Sequence, residues 1–262
     1  MSQVNPKVDV DYLNDFLARE GKKQIHDAEF QKLKLFRITQ QMMKSNPVQA
    51  QLAQADIEMY FNNYERSIEL LENLLKITNN QYTNAWEMLI NIYVQTGNLD
   101  KILDTYHRFF ETGIEPEKSQ LEIFMHVIKI YLLEDLIQKF TVDDPFAQSK
   151  KLQLLTSIDN LNKLSISFEV YRKFISKIYT MFHERFTGMI QPNFHFNESE
   201  LVIRVNSIIN DAQDLFDMNN SFNDYVMDWY ANTNQDERDQ IEKITVYFKS
   251  KEFQSDDIKA IV

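Results

Sequence analysis

Apolar residues recur three and four positions apart along nearly the whole chain, the spacing that gathers them on one face of an α-helix. This period predicts helices near residues 10–20, 25–45, 47–62, 64–78, 82–96, 98–112, 117–139, 145–159, 161–187, 197–218, 221–231 and 235–250. Strict alternation, the mark of a half-buried strand, is short and rare, as in Asn193-Phe194-His195-Phe196. Turn chemistry divides the helices: Asn46-Pro47, Gly97-Asn98, Gly113 with Pro116, and Asp144-Pro145 each suit a helix end or start. Gly188 and Pro192 close the long helix at 161–187, whose Leu164, Phe168, Tyr171, Ile175, Ile178, Phe182 and Phe186 form an aromatic-rich seam.

Composition reinforces the helical reading. The chain has 262 residues but only four glycines and five prolines. All-β folds consume both residues in turns, and phosphate-cradling loops need clustered glycine. With 44% hydrophobic residues, the chain can bury a sizeable core. The expected fold class is all-α. Cysteine is absent, which excludes disulfides, thiolate zinc sites and cysteine nucleophiles. The opening residues lack the basic and apolar pattern of a secretory signal, and no stretch approaches about 20 apolar residues. The expected localisation is cytoplasmic.

One stretch carries a finer pattern. Trp86, Leu89, Tyr93, Gly97, Leu99, Ile102, Tyr106 and Phe109 are spaced 3, 4, 4, 2, 3, 4 and 3 apart. This resembles the tetratricopeptide repeat, with aromatic, Leu and Tyr on a first helix, Gly at the turn and apolar residues on a second. Ile102 stands where that family usually has a small residue. Asn62, Tyr64, Ser67, Leu71 and Leu74 repeat the turn and second helix upstream, and residues 117–139 supply a further first helix. The same stretch, from Ala85 to Pro116, also looks like a pentatricopeptide repeat, a family that reads single-stranded RNA.

The resemblance implies antiparallel helical hairpins stacked as an α-solenoid, followed by a C-terminal helical bundle. Residues 1–46 would cap the solenoid, 47–139 would form the repeats, and 145–262 would form a bundle continuous with them. It also implies a groove lined by first-helix residues, namely Asn84, Glu87, Asn91, Lys118 and Met125. Glu87 stands where the family's carboxylate clamp needs a base, which argues against acidic C-terminal peptides as ligands.

Candidate chemistry is sparse. The five histidines, His26, His107, His126, His183 and His195, show no metal-binding spacing. His183-Glu184 reads as a surface pair over Phe182 and Phe186, and His195 as a buried loop anchor. Asp211, Asp214 and Asp217 fall on one helix face, where three carboxylates can hold magnesium, but a solvated acidic face is the simpler account. No nucleophile elbow, phosphate loop or dinucleotide fingerprint occurs. No cofactor and no metal site is expected.

Net charge is -11, which disfavours phosphate backbones as partners. Residues 196–240 contribute -8 of it, including Asp211, Asp214, Asp217, Asp224 and Asp228, while residues 148–187 carry +4. Either these segments neighbour each other, or the acidic face docks a basic partner. The function expected is therefore that of a non-enzymatic scaffold or adaptor binding a protein or peptide, a basic one suiting the charge. One version is an inhibitor or immunity-type protein masking a basic nuclease or toxin. The alternative is a single-stranded RNA-binding protein.

Overall fold

The computed structural model describes residues 6–25, 28–139 and 145–250. The chain forms two compact units, one of residues 1–121 with 184–187 and one of 122–183 with 188–262.

Unit 1 is built from α1 (Pro6–Leu17), β1 (Gly21–Lys22), α2 (Glu29–Met42), α3 (Pro47–Tyr60), α4 (Tyr64–Ile77), α5 (Thr83–Gln95), α6 (Leu99–Glu111) and the first turn of α7 (Lys118–Ile130). A short strand, β2 (Phe186–Thr187), returns from later in the chain and pairs antiparallel with β1. Each helix from α2 to α5 packs on the next in sequence. The reason is local: the connections are a few residues long, and α3 and α6 are started by side-chain caps. Asn46 caps α3 by accepting from Gln49 N–H at 3.2 Å, with Pro47 in the first turn. Asn98 caps α6 by accepting from Lys101 N–H at 3.1 Å. The chain reverses before α6 through Gly97 at φ +66°, a left-handed conformation that costs an L side chain energy.

The core of this unit is apolar. Leu13, Phe16, Leu35, Ile38, Ala53, Ile57 and Tyr60 cluster where α1, α2 and α3 meet. Farther along, Trp86 packs edge-on against Phe109 with ring centroids 6.2 Å apart, and its Nε1 donates to Asn80 O at 3.0 Å.

Unit 2 contains the remainder of α7, then α8 (Glu134–Ile137), α9 (Pro145–Leu164), α10 (Phe168–Arg185), β3 (Gln191–Phe196), β4 (Leu201–Ser207), α11 (Ala212–Ala231), α12 (Gln235–Ile241) and β5 (Ile244–Ser250). The strands form one sheet in the order β3-β4-β5. β3 and β4 pair antiparallel across a tight turn in which Asn197 Oδ1 accepts from Ser199 and Glu200 N–H at 2.9 and 2.8 Å. β4 and β5 pair in parallel, which demands a crossover, and α11 with α12 supply it. Helix α11 packs on β5. Asn219 plugs the outer edge of that strand: its side chain donates to Phe248 O at 3.2 Å and accepts from Phe248 N–H at 2.8 Å.

Two expectations are corrected here. The fold is mostly helical but not all-α, because it contains two sheets. Strands of this kind have no place in a pure α-solenoid with a helical bundle behind it, so the resemblance to tetratricopeptide and pentatricopeptide repeats does not hold. The helices expected at 197–218 and 235–250 each begin or end in a strand instead. Their β-branched and aromatic runs, Leu201-Val202-Ile203 and Ile244-Thr245-Val246-Tyr247-Phe248, suit a pleated surface better than a helix. The boundary sought around residues 140–147 falls largely on 140–144, outside the described residues. No helix among the described residues is long and apolar enough to cross a membrane.

Candidate functional site

Within unit 1, α3, α5 and the start of α7 enclose a cleft of about 500 Å³. Helix α3 contributes Leu52, Asp56 and Met59, whose spacing of four and three places them on one stripe. Helix α5 contributes Asn84, Glu87, Met88 and Asn91 by the same logic. The third wall is set by Gln120, which is only 2% exposed. Its Nε2 donates to Asn84 Oδ1 at 2.8 Å and to Thr83 Oγ1 at 3.0 Å, while its Oε1 accepts from Glu117 N–H at 3.1 Å. One side-chain amide thus fastens the first turn of α7 to α5.

The cleft is acidic and partly apolar. Asp56, Glu87 and Glu117 line it, and among the described residues no basic side chain does. Among the described residues, Asp56 has no hydrogen-bond or ion-pair partner, and burial pushes its carboxyl up to about 7. Glu87 is also raised, first by burial; the Gln120 amide opposes this and the Glu117 carboxylate adds to it. Gln95 reaches both Met59 Sδ at 3.6 Å and Asn91 Oδ1 at 3.4 Å, tying the α3 and α5 walls together.

A second hollow of about 600 Å³ lies by Asn79 and Asn80. Its carboxylate, Glu72, is already held by both Nη atoms of Arg108 at 2.7 Å, so little unsatisfied chemistry remains there.

Of the groove residues named from the sequence, Asn84, Glu87 and Asn91 come together in the cleft. Lys118 is exposed and does not line it, and Met125 is fully buried. Sequence reasoning passed over Asp56 and Gln120. The signal for Asp56 was present: a carboxylate interrupts the stripe of Leu52, Ala55 and Met59.

Two acidic residues of the other unit have local roles. Asp211 caps α11, accepting from Asp214 N–H at 2.8 Å, and Asp217 accepts from Gln213 at 2.7 Å. Asp224 and Asp228 are exposed on the same helix. No group of three side chains suited to a metal ion occurs among the described residues. The basic segment does neighbour the acidic one: Lys173 lies 4.3 Å from the Trp229 ring centroid and 3.8 Å from Glu237, and Lys177 sits 4.6 Å from the Tyr225 ring centroid.

The histidines are placed differently from expectation. His183 is 7% exposed, packed edge-on against Phe182, whereas a surface position was expected. His195 is exposed on β3 and not a buried anchor. His126 Nε2 lies 3.3 Å from Tyr179 Oη, and burial, with Lys129 and Lys150 nearby, lowers it to about 4. His26 lies outside the described residues.

Comparison with protein-family models, with curated proteins and with solved structures gives no match to this chain.

Proposed function

We propose that the protein acts by binding, as an adaptor that holds a segment of another protein in the cleft between α3, α5 and the start of α7. The observation that carries this reading is Asp56, an unpartnered carboxylate kept within a concave, partly apolar site. Burying such a group costs stability, and a partner's polar group offsets that cost on binding. The methionines support the same reading, because their flexible thioethers adapt to varied apolar surfaces. The cleft volume of about 500 Å³ is in the range that holds a few side chains. Its carboxylates repel phosphate, so RNA is a poor occupant. Partner-binding outside the cleft, on the acidic surface of α11, has weaker support because two of those carboxylates, Asp211 and Asp217, already serve local roles.

Peptide display tests the proposal. Peptides selected on the wild-type protein should lose binding to Met88→Trp, which fills the cleft from α5. Selected peptides that bind this variant as well as the wild type would place the interaction elsewhere.

A further inference from the structure

The cleft suggests a specific ligand chemistry, and this inference rests on the binding role proposed above. We propose that the cleft is a receptor for a single cationic side chain of the partner, with Asp56 as its principal counter-ion and Glu87 as the second. Three observations converge on this. Asp56 lines the cleft with no hydrogen-bond or ion-pair partner among the described residues. Glu87 faces the same space from α5, again with no ion pair. Leu52, Met59 and Met88 line the same cleft with apolar side chains beside the two carboxylates.

That arrangement suits an arginine or lysine side chain and little else. Such side chains join an aliphatic stem to a charged head. The stem lies against the thioethers while the head reaches Asp56. A guanidinium has the further advantage of a planar fork that engages one carboxylate through two parallel hydrogen bonds. An anionic side chain meets three carboxylates and is rejected. A neutral apolar side chain fills the wall but leaves Asp56 unpaired, which costs the complex affinity. The remaining polar groups are already used. Asn84 accepts from Gln120, Asn91 accepts from Gln95, and the Gln120 amide serves Thr83, Asn84, Glu117 N–H and the Glu87 carboxylate. Asp56 is therefore left as the principal group to select a ligand.

The probe is N-acetyl-arginine amide, compared with N-acetyl-citrulline amide, its neutral isostere. The readout is the methyl resonances of Met59 and Met88 in the full-length protein. The arginine probe should shift both, with the citrulline probe at least tenfold weaker. Asp56→Asn should weaken the arginine probe at least tenfold while the methyl spectrum retains its dispersion, and Glu87→Gln should weaken it less. Equal binding of the two probes would overturn the cation claim while leaving a cleft that binds protein segments. Silence of both methyls to these probes and to displayed peptides alike would overturn both.

Discussion

Gln120 on α7 donates to Asn84 on α5 at 2.8 Å, and this hydrogen bond closes the third wall of the cleft. The same side chain donates to Thr83 Oγ1 and accepts from Glu117 N–H, so both ends of the amide are engaged. Gln120→Leu should therefore lower stability by about 1–3 kcal/mol, the cost of stripping partners from part-buried polar groups. A urea melt should show a lower midpoint, and the Met88 methyl should shift as the wall loosens. An unchanged midpoint would mean that the amide is incidental.

Trp86 is the largest side chain in the α5–α6 contact, 1% exposed, with Phe109 on its edge and the Arg108 guanidinium 5.1 Å from its ring centroid. Trp86→Ala should cost roughly 3–5 kcal/mol, as for other buried aromatics. Chemical denaturation monitored by circular dichroism measures this, and a loss below about 1 kcal/mol would contradict the packing described.

Asn219 exchanges two hydrogen bonds with the backbone of Phe248 on β5. Asn219→Leu should expose the edge of β5 and cost about 1–3 kcal/mol. Amide exchange at Phe248 should speed up well beyond that at Val205 on the neighbouring strand. Equal acceleration at both would point to global destabilisation instead.

The helical part of unit 1 was legible because its signals are local. Asn46-Pro47 and Gly97-Asn98 mark real helix boundaries, and the apolar stripe from Trp86 to Phe109 does pack as one interior. The family resemblance read into that stripe was misleading, since antiparallel helices of any origin share its spacing. The sheet of unit 2 was hidden for a different reason. β4 and β5 are separated by α11 and α12, so their pairing is nonlocal, and their apolar runs also fit a helical period. Asn84, Glu87 and Asn91, expected in a groove, share one face of α5 and line the cleft. Asp56 was not legible as their neighbour, because it lies a helical hairpin earlier and joins them only when α3 packs beside α5.

Asp56 also makes a stability prediction. Its carboxyl titrates at about 7 when folded, against 3.8 as its ordinary value. Between those values the folded protein holds a proton that the unfolded chain has released. The contribution of this group to stability is thus fully present below pH 4, falls as pH rises, and is gone above about 7. Asp56→Asn should remove that slope and leave the variant more stable at pH 8 by on the order of 2–4 kcal/mol. Melts of both proteins from pH 4 to 8 measure the difference, and a variant less stable at pH 8 would contradict the environment assigned to Asp56.

The most direct test of the account is the pH dependence of cation binding. The titratable groups lining the cleft are Asp56, Glu87 and Glu117. Below pH 7 a cation must displace the proton on Asp56 before it can pair with the carboxylate. The affinity of wild-type protein for N-acetyl-arginine amide, followed at the Met59 and Met88 methyls, should rise by up to about tenfold per pH unit toward 7 and level off above it. The same rise should be absent in Asp56→Asn. An affinity that is flat from pH 5.5 to 8, or that falls with rising pH, would contradict the assignment of Asp56 as the counter-ion.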